Sequence, residues 1–470
     1  MNRPTTPSKS ELEARLAPYG QQHLLAFWET LAPAQRQRLA EQILAIDFSE
    51  LARLFADAGS AIDWAALARR AQPPPAIRLD DAQPAYSREA AVQRGEEALR
   101  NGRLGVILVA GGQGTRLGFD APKGLFPIGP VSGASLLRIL IEKLRAVASR
   151  YDVSIPLYLM TSPATHAPTE AFLEEHERFG LARSELVLFC QGTMPAVDAD
   201  SGHVLLAAPD AIALSPDGHG GMLAALKRSR AWSDIEHRGI EQLFYMQVDN
   251  PLVHVCDPAL VGYHLLAGSE ASTQVVAKHA PEDRVGNVVA LDGGLRIIEY
   301  SDLPRDVARL REPDGSLRFW AGSIAVHVFD VALLARAADD PAALPFHRAQ
   351  KKVPHIDSEG NLVEPAQPNA IKFERFIFDL LPVAQGAMVV EVDEARNFAP
   401  LKNAPGSASD APEHVHRRMV ELYREWLREA GASVDQGVAV EISPLFALDA
   451  AELRTRIEPG LRVTADRYFC

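Results

Sequence analysis

Strand-length apolar runs alternate with helix-length amphipathic segments through the middle of this 470-residue chain. That alternation predicts an α/β fold built on a largely parallel central sheet flanked by helices. Two further observations set its borders. Residues 1–100 read as a helical N-terminal region, and a change of pattern near Met388 opens a small C-terminal domain, 386–470, after a central domain at 101–385.

Taken in order, Ser10–Ala71 carries leucine, alanine, phenylalanine and tryptophan at helical spacing, as in HLLAFWETL and RLAEQILAIDFSEL. Three prolines in Gln72–Ala76 break the pattern before a helix at Tyr86–Arg100. Strands are expected at Gly105–Ala110, Ile155–Thr161, Leu186–Cys190, Leu243–Val248, Thr273–Lys278, Arg296–Tyr300 and Ser323–Phe329. Helices are expected at Ser135–Ser149, Ala167–Phe179, Gly221–Ser229, Pro258–Ala267 and Glu413–Ala430, and the segment NAIKFERFIFDLL reads as one more amphipathic helix.

The most informative stretch is Val106–Gly129, VILVAGGQGTRLGFDAPKGLFPIG, in which an apolar strand runs into three glycines and then Thr115, Arg116 and Lys123. Backbone N–H groups and two cations of this kind can hold a polyphosphate. No window fits a P-loop, because Lys123 is followed by glycine and lies too far from Gly114. The spacing Gly112, Gly114, Gly118 is not that of a dinucleotide fingerprint, and Pro122, Pro127 and Pro130 deny the loop the helix such a site requires. The loop is therefore expected to wrap a ligand as extended chain, against the plainer reading of a glycine turn with solvated charges.

Composition narrows the classes. A formal net charge of −13 argues against a nucleic-acid surface, which needs a basic face, while leaving room for a local basic pocket. Three widely spaced cysteines, Cys190, Cys256 and Cys470, suggest neither a disulfide framework nor a zinc site and fit a reduced, cytoplasmic setting. Neither a signal peptide nor a membrane span is expected.

Several polar residues stand where chemistry is done. The strand LFYMQVDN ends in Asp249-Asn250-Pro251, which puts a carboxylate at the ligand-binding edge of such sheets; it suits Mg²⁺, or opens an Asx turn. SPDGHGG at Ser215–Gly221 places glycines before a helix, for close approach to a ligand or as a simple turn and cap. Lys372 and Lys402, taken alone, read more readily as solvated charges than as ligands.

Together, AGGQGTRLG with PKG, PDGHGG, VDN, EYSD, KKVPHID, NAIKFERFIFDLL and PLKNA resemble the UDP-N-acetylglucosamine pyrophosphorylase type of UTP:sugar-1-phosphate uridylyltransferase, in order, from YGQQHLLAFWETLAPAQR to at least Ala404. The resemblance implies a nucleotide-diphospho-sugar-transferase-like, Rossmann-like central domain with a mixed, largely parallel sheet. It assigns Val109, Ala110, Gly111 and Gly112 to the uracil and ribose, and Arg116 and Lys123 to the triphosphate. Gln191, helped by the Gly218 backbone, would read the uracil edge, and Asp249 would hold Mg²⁺, or Mn²⁺ in its place, near the α-phosphate. Glu299 would accept hydrogen bonds from sugar hydroxyls, and Lys372 and Lys402 would contact phosphates.

Two positions depart from the family pattern. His219 stands where these enzymes read PDGNGG, and Ser323 where they read AGN; both resemble sugar-side contacts. A loop histidine is instead similar to that of UDP-glucose and broad UDP-sugar pyrophosphorylases, so glucose 1-phosphate stays open beside N-acetylglucosamine 1-phosphate. The expected reaction is in-line attack of the sugar-1-phosphate oxygen on the α-phosphorus of UTP, with Arg116, Lys123, Lys402 and the metal neutralising charge. Two other classes also remain: a non-catalytic sugar-nucleotide binder, and a nicotinamide-dependent oxidoreductase, which would need a helix after the glycine loop.

Overall fold

The computed structural model describes residues 7–57, 63–340 and 342–470, so residues 58–62 of the predicted helical stretch lie outside the described residues. The chain divides into two compact units.

The first unit gathers Met1–Asp63, Gly192–Met222 and Leu344–Ile377. Its helices are Lys9–Leu16, Pro33–Ala45 and Phe48–Ala56. Ser8 starts the first with a capping box, its Oγ accepting the Glu11 N–H while Glu11 accepts the Ser8 N–H at 2.7 Å. Asp47 starts the third by accepting the N–H groups of Ser49 and Glu50, both at 3.0 Å. Leu12, Leu16, Leu39, Ile43 and Leu51 turn inward and share a core with Val197, Ile371 and Phe373. The last two lie on the strand Ala370–Glu374, which pairs antiparallel with His347–Lys351 and with Val197–Asp198.

That strand corrects one expectation, since Lys372 lies on it and not on a helix. In Ala370–Glu374 the buried residues Ile371 and Phe373 alternate with the half-buried Lys372 and Glu374, a period of two that fits a half-covered strand. Helical turns begin only at Ile377.

The second unit, Trp64–Gln191, Leu223–Ala343 and Phe378–Cys470, is built on a ten-stranded sheet. Its strands are β1 (Ala76–Ile77), β2 (Leu104–Val109), β3 (Leu157–Thr161), β4 (Leu186–Cys190), β5 (Gln242–Gln247), β6 (Ala271–Ala277), β7 (Asn287–Leu291), β8 (Gly294–Ile298), β9 (Ala321–Asp330) and β10 (Ala387–Glu391). The main path runs β1-β10-β6-β9-β5-β2-β3-β4. Only β9 opposes its neighbours on that path, and the hairpin β7–β8 attaches through β9. The mixed, largely parallel sheet expected above is thus present. β2 reads LGVILV without alternation because both its faces are covered.

Helices α1 (Arg88–Arg100), α2 (Leu136–Tyr151), α3 (Pro258–Leu266) and α4 (Pro412–Glu429) contribute Leu99, Leu140, Leu260 and Met419 to the main apolar core. α1 and α3 meet at backbone distance, since a Cβ on Gly95 would overlap the Pro258 carbonyl oxygen and one on Gly262 that of Ala91. Among the described residues no helix is long and apolar enough to cross a membrane.

Candidate active site

The sheet itself locates the site. β2 is followed spatially by β3 and β4 on one side and has β5 on the other, so the strand order reverses between β2 and β5. In open α/β sheets ligands bind at the carboxyl end of such a reversal. Val109, the last residue of β2, lies opposite Gln247, the last of β5, and its carbonyl accepts the Val248 N–H at 3.0 Å. The glycine loop and Asp249 therefore leave the sheet side by side.

The loop keeps its last sheet bond at Ala110, whose N–H donates to Met160 at 2.8 Å. The next three N–H groups, of Gly111, Gly112 and Gln113, have no hydrogen-bond partner among the described residues. The chain then doubles back, with the Gly114 N–H donating to Ala121 at 2.8 Å and the Lys123 N–H to Gly112 at 3.0 Å. Gly114 is required by close approach, because a Cβ there would stand 2.7 Å from the Phe119 carbonyl oxygen and 2.9 Å from that of Ala121. Single 3₁₀ turns at Thr115–Leu117 and Lys123–Leu125 stand where a dinucleotide site would have a helix. Arg116 is exposed, with no ion-pair partner among the described residues.

Lys123 returns to the mouth of the loop and its Nζ lies 3.3 Å from Asp249 Oδ2, both side chains less than a fifth exposed. The Asx role weighed for Asp249 falls instead to buried Asn250. Its Oδ1 accepts the N–H groups of Leu252 at 3.2 Å and Ala399 at 3.1 Å, and its Nδ2 donates to the Asn397 carbonyl at 2.7 Å. This ties the Asp249 loop to a distant stretch of chain, and the Leu401 N–H adds a 2.8 Å bond to the Asp249 carbonyl. Lys402 follows at once, its own N–H on the Asp410 carbonyl at 2.8 Å. Burial holds the Asp410 carboxyl above the usual carboxylate range, opposed by Lys402 and reinforced by Asp249.

Gln191 leaves β4 buried, its N–H on Thr161 at 2.9 Å, and its amide oxygen packs over Gly111, where a Cβ would come within 2.9 Å. Glu299 lies one residue beyond β8, so the expected strand to Tyr300 ends early. It and Ser323 both approach Gly286, whose carbonyl accepts the Ser323 N–H at 2.8 Å and where a Cβ would lie 3.4 Å from Glu299 Oε1. Val109 to Gly112, Arg116, Lys123, Gln191, Asp249, Glu299, Ser323 and Lys402 all belong to this unit.

Gly218, His219 and Lys372 belong to the first unit. Gly218 has φ +83° and presses on the backbone of Arg375, where no Cβ fits. His219 Nδ1 accepts the Ile377 N–H at 3.2 Å, which leaves the proton on Nε2 in the neutral ring. Burial, with His347 adding to it, pushes the imidazole down to about 4. Among the described residues no group of three or more His, Cys, Asp or Glu side chains is placed to hold a metal ion.

Sequence reasoning expected phosphate-binding N–H groups in the glycine loop without saying which are left unpaired, and passed over the roles of Asn250 and Asp410. Asn250 is a buried polar side chain inside a motif already singled out; the others are set by pairing that no local pattern encodes.

The family model described as UTP–glucose-1-phosphate uridylyltransferase matches residues 47–411. The chain is 40% identical over 357 residues to the UDP-N-acetylglucosamine pyrophosphorylase of Saccharomyces cerevisiae, covering 74% of this chain and 75% of that one. It is 37% identical over 441 residues to human UDP-N-acetylhexosamine pyrophosphorylase-like protein 1, at 90% and 86% coverage. The crystal structure of the UDP-N-acetylglucosamine pyrophosphorylase of Trypanosoma brucei with an inhibitor superposes with a TM-score of 0.80 at 25% identity, covering 98% of this chain and 100% of that one. The family model spans more than half of the chain and both relatives exceed 30% identity, so the chain belongs to the UTP–glucose-1-phosphate uridylyltransferase family.

Proposed function

We propose that this uridylyltransferase makes UDP-N-acetylglucosamine and pyrophosphate from UTP and N-acetylglucosamine 1-phosphate, in the cytoplasm. The observation that carries the reading is the row of unspent N–H groups at Gly111, Gly112 and Gln113 beside the Lys123–Asp249 pair. Beyond the uracil and ribose contacts that the resemblance assigns to Gly111 and Gly112, these N–H groups also offer donors to phosphate oxygens, and Lys123 and Arg116 neutralise the triphosphate. Lys402, fixed to the Asp249 loop through Leu401, offers a third cation.

Asp249 fits Mg²⁺, or Mn²⁺ in its place, by its chemistry: a carboxylate at the sheet edge, with nucleotide phosphates to supply the other oxygens. Bound there, the ion supplies charge neutralisation at the α-phosphate. The attacking phosphate monoester is already an anion, so no side chain has to take its proton. What the residues supply is alignment of two mutually repelling anions and compensation of their charge.

Pyrophosphate release from UTP with the 1-phosphates of N-acetylglucosamine, N-acetylgalactosamine, glucose and galactose tests the reading. N-acetylglucosamine 1-phosphate is expected to turn over fastest. Turnover of glucose 1-phosphate alone would overturn the sugar assignment and favour the second reading, which rests on His219 and Ser323. No release with any of the four would make the protein a binder.

A further inference from the structure

Behind the Asp249 loop the second unit has a cavity of about 200 Å³, partly open to solvent, between α1, α2, α4 and the segment Leu252–Pro258. That is smaller than a site for a drug-sized ligand, roughly 300–1,000 Å³. One wall is apolar, from Val92, Val147, Leu422 and Trp426. The other is polar, and its charges are unequally committed.

The two carboxylates on the lining are engaged in the fold. Asp257 caps α3 through the Ala259 N–H at 3.0 Å and accepts from Gln274 at 3.1 Å. Asp449 caps the helix Ala450–Arg456 and pairs with Arg150 at 2.8 Å. The cations are not all engaged. The Lys143 ammonium gives two of its three protons, to the carbonyls of Pro251 at 2.6 Å and Val253 at 2.9 Å, and has no other partner among the described residues. Arg88, at the first position of α1, and His254, both of them exposed to solvent, have no hydrogen-bond or ion-pair partner among the described residues. Burial also lowers the Lys143 ammonium, to about 7, a cost that an anion in the cavity would relieve.

We propose that this cavity is an effector site for a small amphipathic monoanion, an aryl or alkyl carboxylate, whose charged end meets Lys143, Arg88 and His254 and whose apolar body packs against Val147 and Trp426. The coupling to the active site is covalent and short. Lys143 holds the carbonyls of Pro251 and Val253, within four residues of Asp249, and a ligand that claims the ammonium loosens its grip on that loop. Occupancy therefore lowers turnover.

The test is calorimetric titration of the full-length protein with 1-naphthoate and with 1-naphthalenemethanol, its uncharged counterpart. The expected results are binding of the anion about tenfold tighter than the alcohol, with proton uptake near pH 7.5, and a loss of about tenfold in Lys143→Met. Saturation should cut UTP turnover about fivefold. Leu448→Trp, which fills the cavity from its half-buried edge, should abolish both effects at unchanged basal turnover, and Val92→Phe from α1 serves the same end if the first variant does not fold. No binding at millimolar naphthoate, equal binding of the alcohol, binding that survives a folded cavity-filling variant, or binding without a fall in turnover would each overturn the proposal.

Discussion

Replacing Asn250 by alanine removes three hydrogen bonds from one buried side chain, those to Leu252, Ala399 and Asn397. Each such bond contributes about 1 kcal/mol net, so the variant should lose about 3 kcal/mol. The loss falls on the tie between the Asp249 loop and the segment that leads to Lys402, where the Leu401 N–H bond to the Asp249 carbonyl would be left to join the two. If all of it is expressed as misplacement of those groups, kcat/KM falls by about 10² at 1.36 kcal/mol per decade. Urea unfolding gives the first quantity, and initial rates of pyrophosphate release from UTP give the second. A variant that loses less than about 1 kcal/mol and keeps kcat/KM within about twofold would refute the claim that Asn250 joins the two halves of the site.

Three other outcomes are expected. Lys123→Ala should lower kcat by about 10²–10³ in a folded protein, read by the same assay, and near-normal turnover would remove Lys123 from the site. Gly114→Ala should abolish tight UTP binding, measured by calorimetry, because its Cβ meets two backbone oxygens that belong to the loop itself. His219 has its proton affinity depressed in the fold, so its contribution to stability is full above about 6.5 and is lost as pH falls toward about 4. In His219→Asn the amide oxygen can still accept the Ile377 N–H, so the variant should fold and show a shallower loss of urea midpoint between those pH values; an unchanged slope would refute the assignment.

The parallel sheet was legible because its strands are covered on both faces, which leaves continuous apolar runs such as LGVILV in β2 and QLFYMQ in β5. The absence of a helix after the glycine loop was legible from prolines, whose effect on the backbone is local. Lys372 was misplaced because IKFERFIF satisfies a helical and an alternating pattern at once, and pairing with His347–Lys351, a partner far along the chain, decides between them. β10 was passed over for the same reason, since its partners β1 and β6 lie far away in sequence, whereas β7 was missed although it forms a hairpin with the adjacent β8. Within the site, residue types in motifs announced the charged groups. The Asn250 tie and the orphan N–H groups depend on which stretches meet, and sequence periodicity carries no record of that.

Those N–H groups have a consequence for anyone who maps the protein by substitution. Gly111, Gly112 and Gln113 present their donors from the main chain, so replacing the Gln113 side chain leaves its donor in place. An alanine scan would therefore pass over Gln113 and dwell on Lys123 and Asp249. The loop answers to changes of shape: a Cβ at Gly114 or a different residue at Pro122, which bridges Gln113, would disturb the backbone that presents the donors.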